Sequence, residues 1–218
     1  SYTDGQGTAE SVTSSATSAV SNINDDATVA ISGTATEDQV LTATVTDEDG
    51  TSGTITYAWN RAGTAISGAT SPTYTLTQDD VGSAMTVSIS FTDDYSNGET
   101  ATSDATSAVA NVNDDPTGSV TISGTATEDE VLTAANTLAD EDVLGTISYQ
   151  WNRAGTAISG ATSSTYTLTQ SDVGSTITVT ASYTDGQNTA ESETSDATGS
   201  VANVNDDPTG SVTISGTA

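Results

Sequence analysis

The chain repeats itself, and the length of the repeat limits what it can fold into. The run WNRAGTAISGATS occupies Trp59 to Ser71 and returns unchanged at Trp151 to Ser163. ISGTATED begins at Ile31 and again at Ile122, ISGTA begins once more at Ile214, and SYTDGQ starts at both Ser1 and Ser182. Acidic connectors separate the copies at Asn22 to Asp26, Asn111 to Pro116 and Asn203 to Pro208. This parse predicts the C-terminal strands of a preceding repeat over 1–26, full repeats over 27–115 and 116–207, and the first strand of a following repeat over 208–218. A period of about 90 residues is too long for a solenoid unit and falls at the lower end of independently folding domains. The expectation is a stretch of a longer array, built as beads on a string.

Charge is the second constraint. Of 218 residues, 30 are Asp or Glu and two are basic, Arg61 and Arg153, so the formal charge is −28, with no His and no Cys. A zinc site of His and Cys, a Ser-His-Asp or Cys-His pair and a disulfide framework are all excluded. Such a surface repels phosphate backbones and anionic lipid, so neither nucleic acid nor direct membrane insertion is expected. Multivalent cations are favoured instead. The first residues, Ser1-Tyr2-Thr3-Asp4, do not read as a signal peptide, and targeting information is expected outside this stretch.

High charge with few aromatics leans towards disorder, but the abundant residues here are Thr, Val and Ile, which form strands. Periodicity decides the matter. Ile55, Tyr57 and Trp59 alternate with Thr54, Thr56 and Ala58, and Met85, Val87, Ile89 and Phe91 alternate with Thr86, Ser88 and Ser90. The second copy does the same with Ile147, Tyr149 and Trp151 and with Ile177, Val179, Ala181 and Tyr183. Period-2 alternation with small hydroxyl residues on the other face predicts half-buried antiparallel strands. Turn signals at Asp49-Gly50, Arg61 to Gly63, Ser67-Gly68, Asp80 to Gly82 and Asn97-Gly98 separate them. The fold class predicted is all-β, with about seven strands per repeat.

The order of an acidic loop, a Trp strand, an Asn-Arg-Ala-Gly turn, Tyr74-Thr-Leu76 and Asp80-Val-Gly82 before an alternating strand resembles an immunoglobulin-like antiparallel β-sandwich. The resemblance implies a Trp in the core and domains arranged head to tail. The two cysteines of antibody domains are replaced by Leu41 or Ala43 and by Val87 or Ile89. More narrowly, VNDDPTGSVTISGTATED (112–129), the segment 140–186 and ATGSVANVNDDP (197–208) resemble the extender repeats of giant RTX-type bacterial surface adhesins.

In an immunoglobulin-like domain the loop holding Glu37 and Asp38, or Glu128 and Asp129, lies at the downstream end. The loops holding Asp47, Glu48 and Asp49 (Asp140, Glu141 and Asp142), and the turn with Asp93 and Asp94 (Asp185), lie at the upstream end. The resemblance therefore implies that these acids meet the connectors Asn22, Asn24, Asp25 and Asp26, then Asn111, Asn113, Asp114 and Asp115, then Asn203, Asn205, Asp206 and Asp207. An oxygen-only donor set of carboxylates and amide carbonyls suits Ca2+. The arrangement is similar to that of cadherins, although Leu76 to Asp80 lacks their acidic motif before the corresponding strand.

Bland readings stand beside this one. Isolated acidic loop residues are commonly just solvated, but several carboxylates gathered without Lys or Arg repel one another unless a cation intervenes. Asp80 and Asp172 are expected to fix turns, and Arg61 and Arg153 to pair with a nearby acid. Outward Thr-x-Thr runs allow an alternative carbohydrate- or ice-binding module. Paired carboxylates can hydrolyse glycosides, but two near-identical copies favour a scaffold over a unique active site. The function predicted is a non-enzymatic, extracellular spacer at a bacterial cell surface. Its partners are calcium and neighbouring repeats, and the ligand of the adhesin tip lies outside this stretch.

Overall fold

The computed structural model describes residues 1–216; Thr217 and Ala218 lie outside that description. The chain divides into two compact units. One comprises Ser1–Ala35, Gln39–Leu76 and Gly82–Val109, and the other comprises Thr36–Asp38, Thr77–Val81 and Ala110 onward. The loops 36–38 and 77–81 thus group with the connector that follows them in sequence.

The first unit opens with a short antiparallel pair, β1 (Tyr2–Thr3) and β2 (Ala9–Glu10). Seven strands follow: β3 (Thr28–Ser32), β4 (Val40–Thr46), β5 (Thr56–Arg61), β6 (Thr64–Ala65), β7 (Thr73–Thr75), β8 (Met85–Thr92) and β9 (Gly98–Thr102). They form a three-stranded sheet in the order β3-β4-β7 and a four-stranded sheet in the order β6-β5-β8-β9. The second unit repeats this order with β10 (Val120–Ser123), β11 (Val131–Asn136), β12 (Ser148–Arg153), β13 (Thr156–Ala157), β14 (Thr165–Thr167), β15 (Ile177–Thr184) and β16 (Ala190–Thr194). All the ladders are antiparallel. Each repeat is therefore an all-β, immunoglobulin-like sandwich of seven strands. Residues 208–216 contain no strand, and the end of the following-repeat strand expected there lies outside the described residues. No described helix is long and apolar enough to cross a membrane.

Alternation produces the core. Met85, Val87, Ile89 and Phe91 of β8 point inward, and so do Ile177, Val179, Ala181 and Tyr183 of β15. Leu41 and Ala43 face in from the other sheet, and Val87 stands directly across from Trp59. Both tryptophans are fully buried. Each donates its indole N–H to a backbone carbonyl, Ser71 or Ser163, at 2.9 Å, so the ring gains apolar burial without an orphaned donor. Tyr74 and Tyr166 stack on them, with ring centroids 5.8 and 5.7 Å apart.

The tyrosine that stacks on Trp151 is itself held by a polar anchor. Asp172 is wholly buried and closes a 3-10 turn over Gln170–Asp172, its Oδ2 accepting the Thr169 amide at 2.8 Å and the Thr169 hydroxyl at 2.9 Å. The Tyr166 hydroxyl donates to the same oxygen at 2.9 Å, and Arg153 Nε donates to Oδ1 at 2.6 Å. Burial alone would raise the Asp172 pKa, but the Arg153 guanidinium and the Thr169 and Tyr166 donors outweigh it and hold the carboxyl below its ordinary value. Asp80 is buried in the same way and accepts from the Thr77 amide at 2.9 Å. Both aspartates fix turns, as their position before Val-Gly leads one to expect.

Asp172→Asn keeps the side-chain shape but removes the charge that Arg153 faces. It should cost about 3 kcal/mol in urea unfolding of the second repeat. The exposed Glu48→Gln should stay within about 0.5 kcal/mol of the parent.

Candidate metal centre

The upstream end of the second unit is built on short-range carboxylate geometry. Asp140 Oδ1 accepts the Asp142 amide at 2.8 Å, which folds the loop back and buries Asp142 completely. Asp142 then grips the connector: its Oδ2 accepts the Asp114 amide at 2.9 Å, and its Oδ1 accepts Gln78 Nε2 at 3.1 Å. Glu37, 3% exposed, accepts the Val112 amide through Oε2 at 3.2 Å, while its own amide bonds Ala110 at 2.9 Å. Asn113 Nδ2 donates to Glu191 Oε1 at 2.9 Å. Asp185 closes the β15–β16 hairpin, Oδ1 accepting the Gln187 and Thr189 amides at 2.8 and 2.7 Å. The Tyr183 hydroxyl donates to Asp140 Oδ2 at 2.5 Å.

The first unit repeats the plan around the connector 22–26. Asp49, 5% exposed, accepts the Asp25 amide at 2.8 Å, and Asp47 Oδ1 accepts the Asp49 amide at 2.8 Å. Glu99 accepts Asn24 Nδ2 at 2.9 Å and the Ala27 amide at 3.0 Å. Asp93 accepts the Tyr95 and Asn97 amides at 2.9 and 2.6 Å and Asn97 Nδ2 at 2.8 Å. The Ser52 hydroxyl donates to Asp94 Oδ1, and the Asp94 amide donates to the Asp49 carbonyl at 3.3 Å. At the downstream end of the second unit, Glu128 accepts the Val204 amide at 3.1 Å and Gln170 Nε2 donates to Asn203 at 3.2 Å.

The structure thus joins Glu37, Asp114 and Asp142, joins Asp25 to Asp49, and joins Glu128 to the third connector. Asn22, Asp26, Asp38, Asp115, Asp129, Asn205, Asp206 and Asp207 are exposed. Glu99, Glu191 and Gln78 escaped the sequence reading. Glu99 and Glu191 stand directly across from the inward aromatics Phe91 and Tyr183, a register that the structure supplies and the sequence does not display. Gln78 carried no signal either.

The electrostatics show strain of like charge. Burial raises the Glu37 carboxyl above its ordinary value, partly offset by the Val112 amide, and Asp114, Asp142 and Asp38 push it further. Asp114 is raised by burial, then by Asp142, Asp38, Asp140 and Asp115. Tyr183 lies well above the ordinary tyrosine range because of burial, its bond to Asp140 and the charges of Asp140, Glu191 and Asp185. Asp93 goes the other way: burial would raise it, but the Asn97 side chain and the turn amides prevail and lower it.

Among the described residues, four buried side-chain polar atoms have no hydrogen-bond partner: Asp47 Oδ2, Gln78 Oε1, Asn111 Oδ1 and Asp185 Oδ2. All are oxygens, all lie in the loops and connectors described above, and the last three belong to the second unit. A buried acceptor without a donor costs roughly 1–3 kcal/mol, and a cation would remove that cost. The donor chemistry fits Ca2+, which takes six to eight oxygens from carboxylates, amide carbonyls and backbone. The oxygens are not drawn onto a common centre, however. Among the described residues no group of three or more Asp or Glu is arranged to hold a metal ion.

No protein-family model and no curated protein matches the chain. Among solved structures it is similar to three N-terminal domains of the Highly Immunogenic Outer Capsid protein (Hoc) of bacteriophage RB49. That match has 16% identity and a TM-score of 0.31, and covers 78% of this chain and 58% of that one. It is also similar to a tetra-tandem repeat in the extending region of a large adhesion protein, at 20% identity and a TM-score of 0.26, covering 78% of this chain and 47% of that one.

Because Glu37 and Asp114 are raised, the folded connector holds their protons more tightly than the unfolded chain does. Their contribution to stability is complete below the ordinary carboxylate range, about pH 4, and is lost as pH rises through their raised values. In chelator, hydrogen exchange at the Asp114 amide, corrected for its intrinsic rate, should therefore slow as pH is lowered from 7 towards 5. Asp172, which is depressed, has the opposite sign: its contribution holds above the ordinary aspartate value and is lost as pH falls through its lowered one.

Proposed function

We propose that this chain is a non-enzymatic spacer from an adhesin-like protein of a bacterial cell surface, with calcium stiffening its connectors. The observation that carries the reading is the set of buried, donorless oxygens at the connector and the loops against it. On this reading the oxygens of Asp140, Asp142, Asp185, Asn111, Asp114, Glu37 and Gln78 in the second unit, and of Asp47, Asp49, Asp25 and Glu99 in the first, are the donors from which a cation would draw its ligands, and its binding would have to bring them onto a common centre. The cation supplies positive charge where the chain has no Lys or Arg to offer, and it fixes backbone that otherwise hangs on single amide bonds. Near-identical sandwiches in tandem give reach, which is what a spacer needs. RTX-type secretion and a role in biofilm are part of the same proposal and rest on the sequence resemblance.

The rival reading, a carbohydrate- or ice-binding face, finds less support. The outward hydroxyls of the four-stranded sheet spend themselves on each other, Thr56 with Ser90 at 2.7 Å and Ser88 with Thr102 at 3.0 Å. That is ordinary cross-strand pairing.

Millimolar Ca2+ should raise the melting temperature by several degrees over EGTA, and small-angle scattering should show a longer maximum dimension. Identical melts and identical scattering in the two conditions would sink the reading. Asp142→Asn should abolish most of the calcium response at the second connector.

A further inference from the structure

The two repeats differ at two positions that control which acid has an oxygen to spare. In the first repeat the aromatic position is Phe91, which has no hydroxyl to donate, and Asp47 Oδ2 is buried without a partner. In the second, Tyr183 supplies a hydroxyl that occupies the equivalent Asp140 Oδ2. The hairpin acids are reversed. Asn97 Nδ2 caps Asp93 Oδ2 at 2.8 Å, whereas Thr189 offers only its backbone amide, leaving Asp185 Oδ2 unpartnered on a side chain 6% exposed.

Both differences act on the same small region. Each hairpin acid lies two residues beyond the aromatic, and the Tyr183 hydroxyl feels the charges of Asp140 and Asp185 together. One substitution closes an oxygen on the loop, and the other opens one on the hairpin. The open oxygen therefore moves from one loop to its neighbour between successive repeats.

We propose that the aromatic and hairpin positions, Phe91 with Asn97 and Tyr183 with Thr189, set the ligands and strength of the calcium site at each connector. The first repeat engages calcium through Asp47 and the second through Asp185, so that the sites along the chain are not equivalent. The inference rests on the calcium reading above. A short charge-assisted O–H···O bond competes directly with a cation for its acceptor, so Tyr183 weakens Asp140 as a ligand. An amide cap on Asp185 would do the same there.

The test uses the whole chain and residues that nature already places at the equivalent positions, so the fold is preserved. Calcium titrations followed by amide NMR report the two connectors separately, Asp25 for the first and Asp114 for the second. Tyr183→Phe should tighten the second site and Thr189→Asn should weaken it, each on the order of tenfold, the worth of one hydrogen bond. Phe91→Tyr should weaken the first site and leave the second unchanged. If the parent chain binds calcium but these variants leave both constants unmoved, or shift them in the opposite sense, this inference fails alone. If the parent shows no calcium-dependent shift at either connector, the calcium reading fails and takes this inference with it.

Discussion

The structure depends on solving one problem: where to put carboxylates when almost no cations are available. With 30 acids against two arginines, ion pairing can serve only a few carboxylates, and at the connectors the chain uses neutral dipoles instead. Asp142 holds the Asp114 amide, Asp49 the Asp25 amide, Glu37 the Val112 amide and Glu128 the Val204 amide. These bonds attach each connector to a sandwich. Backbone amides satisfy a carboxylate's lone pairs without cancelling its charge, so the arrangement is geometrically ordered yet electrostatically loaded. Asp172 has a full positive partner, and it sits in the core beside the stacked Trp151 and Tyr166, where charge is least tolerated.

Much of the fold is legible in the sequence because the strands obey a simple rule. In β8 and β15 each second residue is apolar, and each of those residues is buried. The tryptophan strands and the Asp-Val-Gly turns are readable for the same reason, since a local pattern has one local outcome. The two-residue strands β6 and β13 are less obvious, because Ala62 and Ala154 take left-handed backbone at φ 45° to make the turn, a conformation usually left to Asn or Gly.

The site is only half legible. Glu37, Asp49, Asp142 and the connectors are visible as acidic clusters beside turn residues. What a sequence does not display is the direction of an oxygen. Asp93 and Asp185 look alike on paper, yet one is capped from both sides and the other keeps an open lone pair, because the residue four positions on is Asn97 in one copy and Thr189 in the other. Glu99 and Glu191 are hidden inside strands, and Gln78 gains its role through an amide reaching Asp142, 64 positions away in the chain.

The small hairpin at the start of the chain bears on a hazard that similar tandem sequences face. β1 and β2 form a two-stranded sheet closed by Asp4, whose Oδ1 accepts the Gln6 and Thr8 amides at 2.9 and 2.8 Å. The same turn recurs at Asp93 and Asp185, so the last hairpin of each repeat is specified by residues within a few positions of one another. Contacts this local form on the microsecond scale, well before distant strands meet. Tandem copies this similar invite strand exchange between neighbours during folding. A hairpin whose turn is held by its own Asp pairs its two strands at a far smaller cost in loop closure than pairing with a neighbour's would carry.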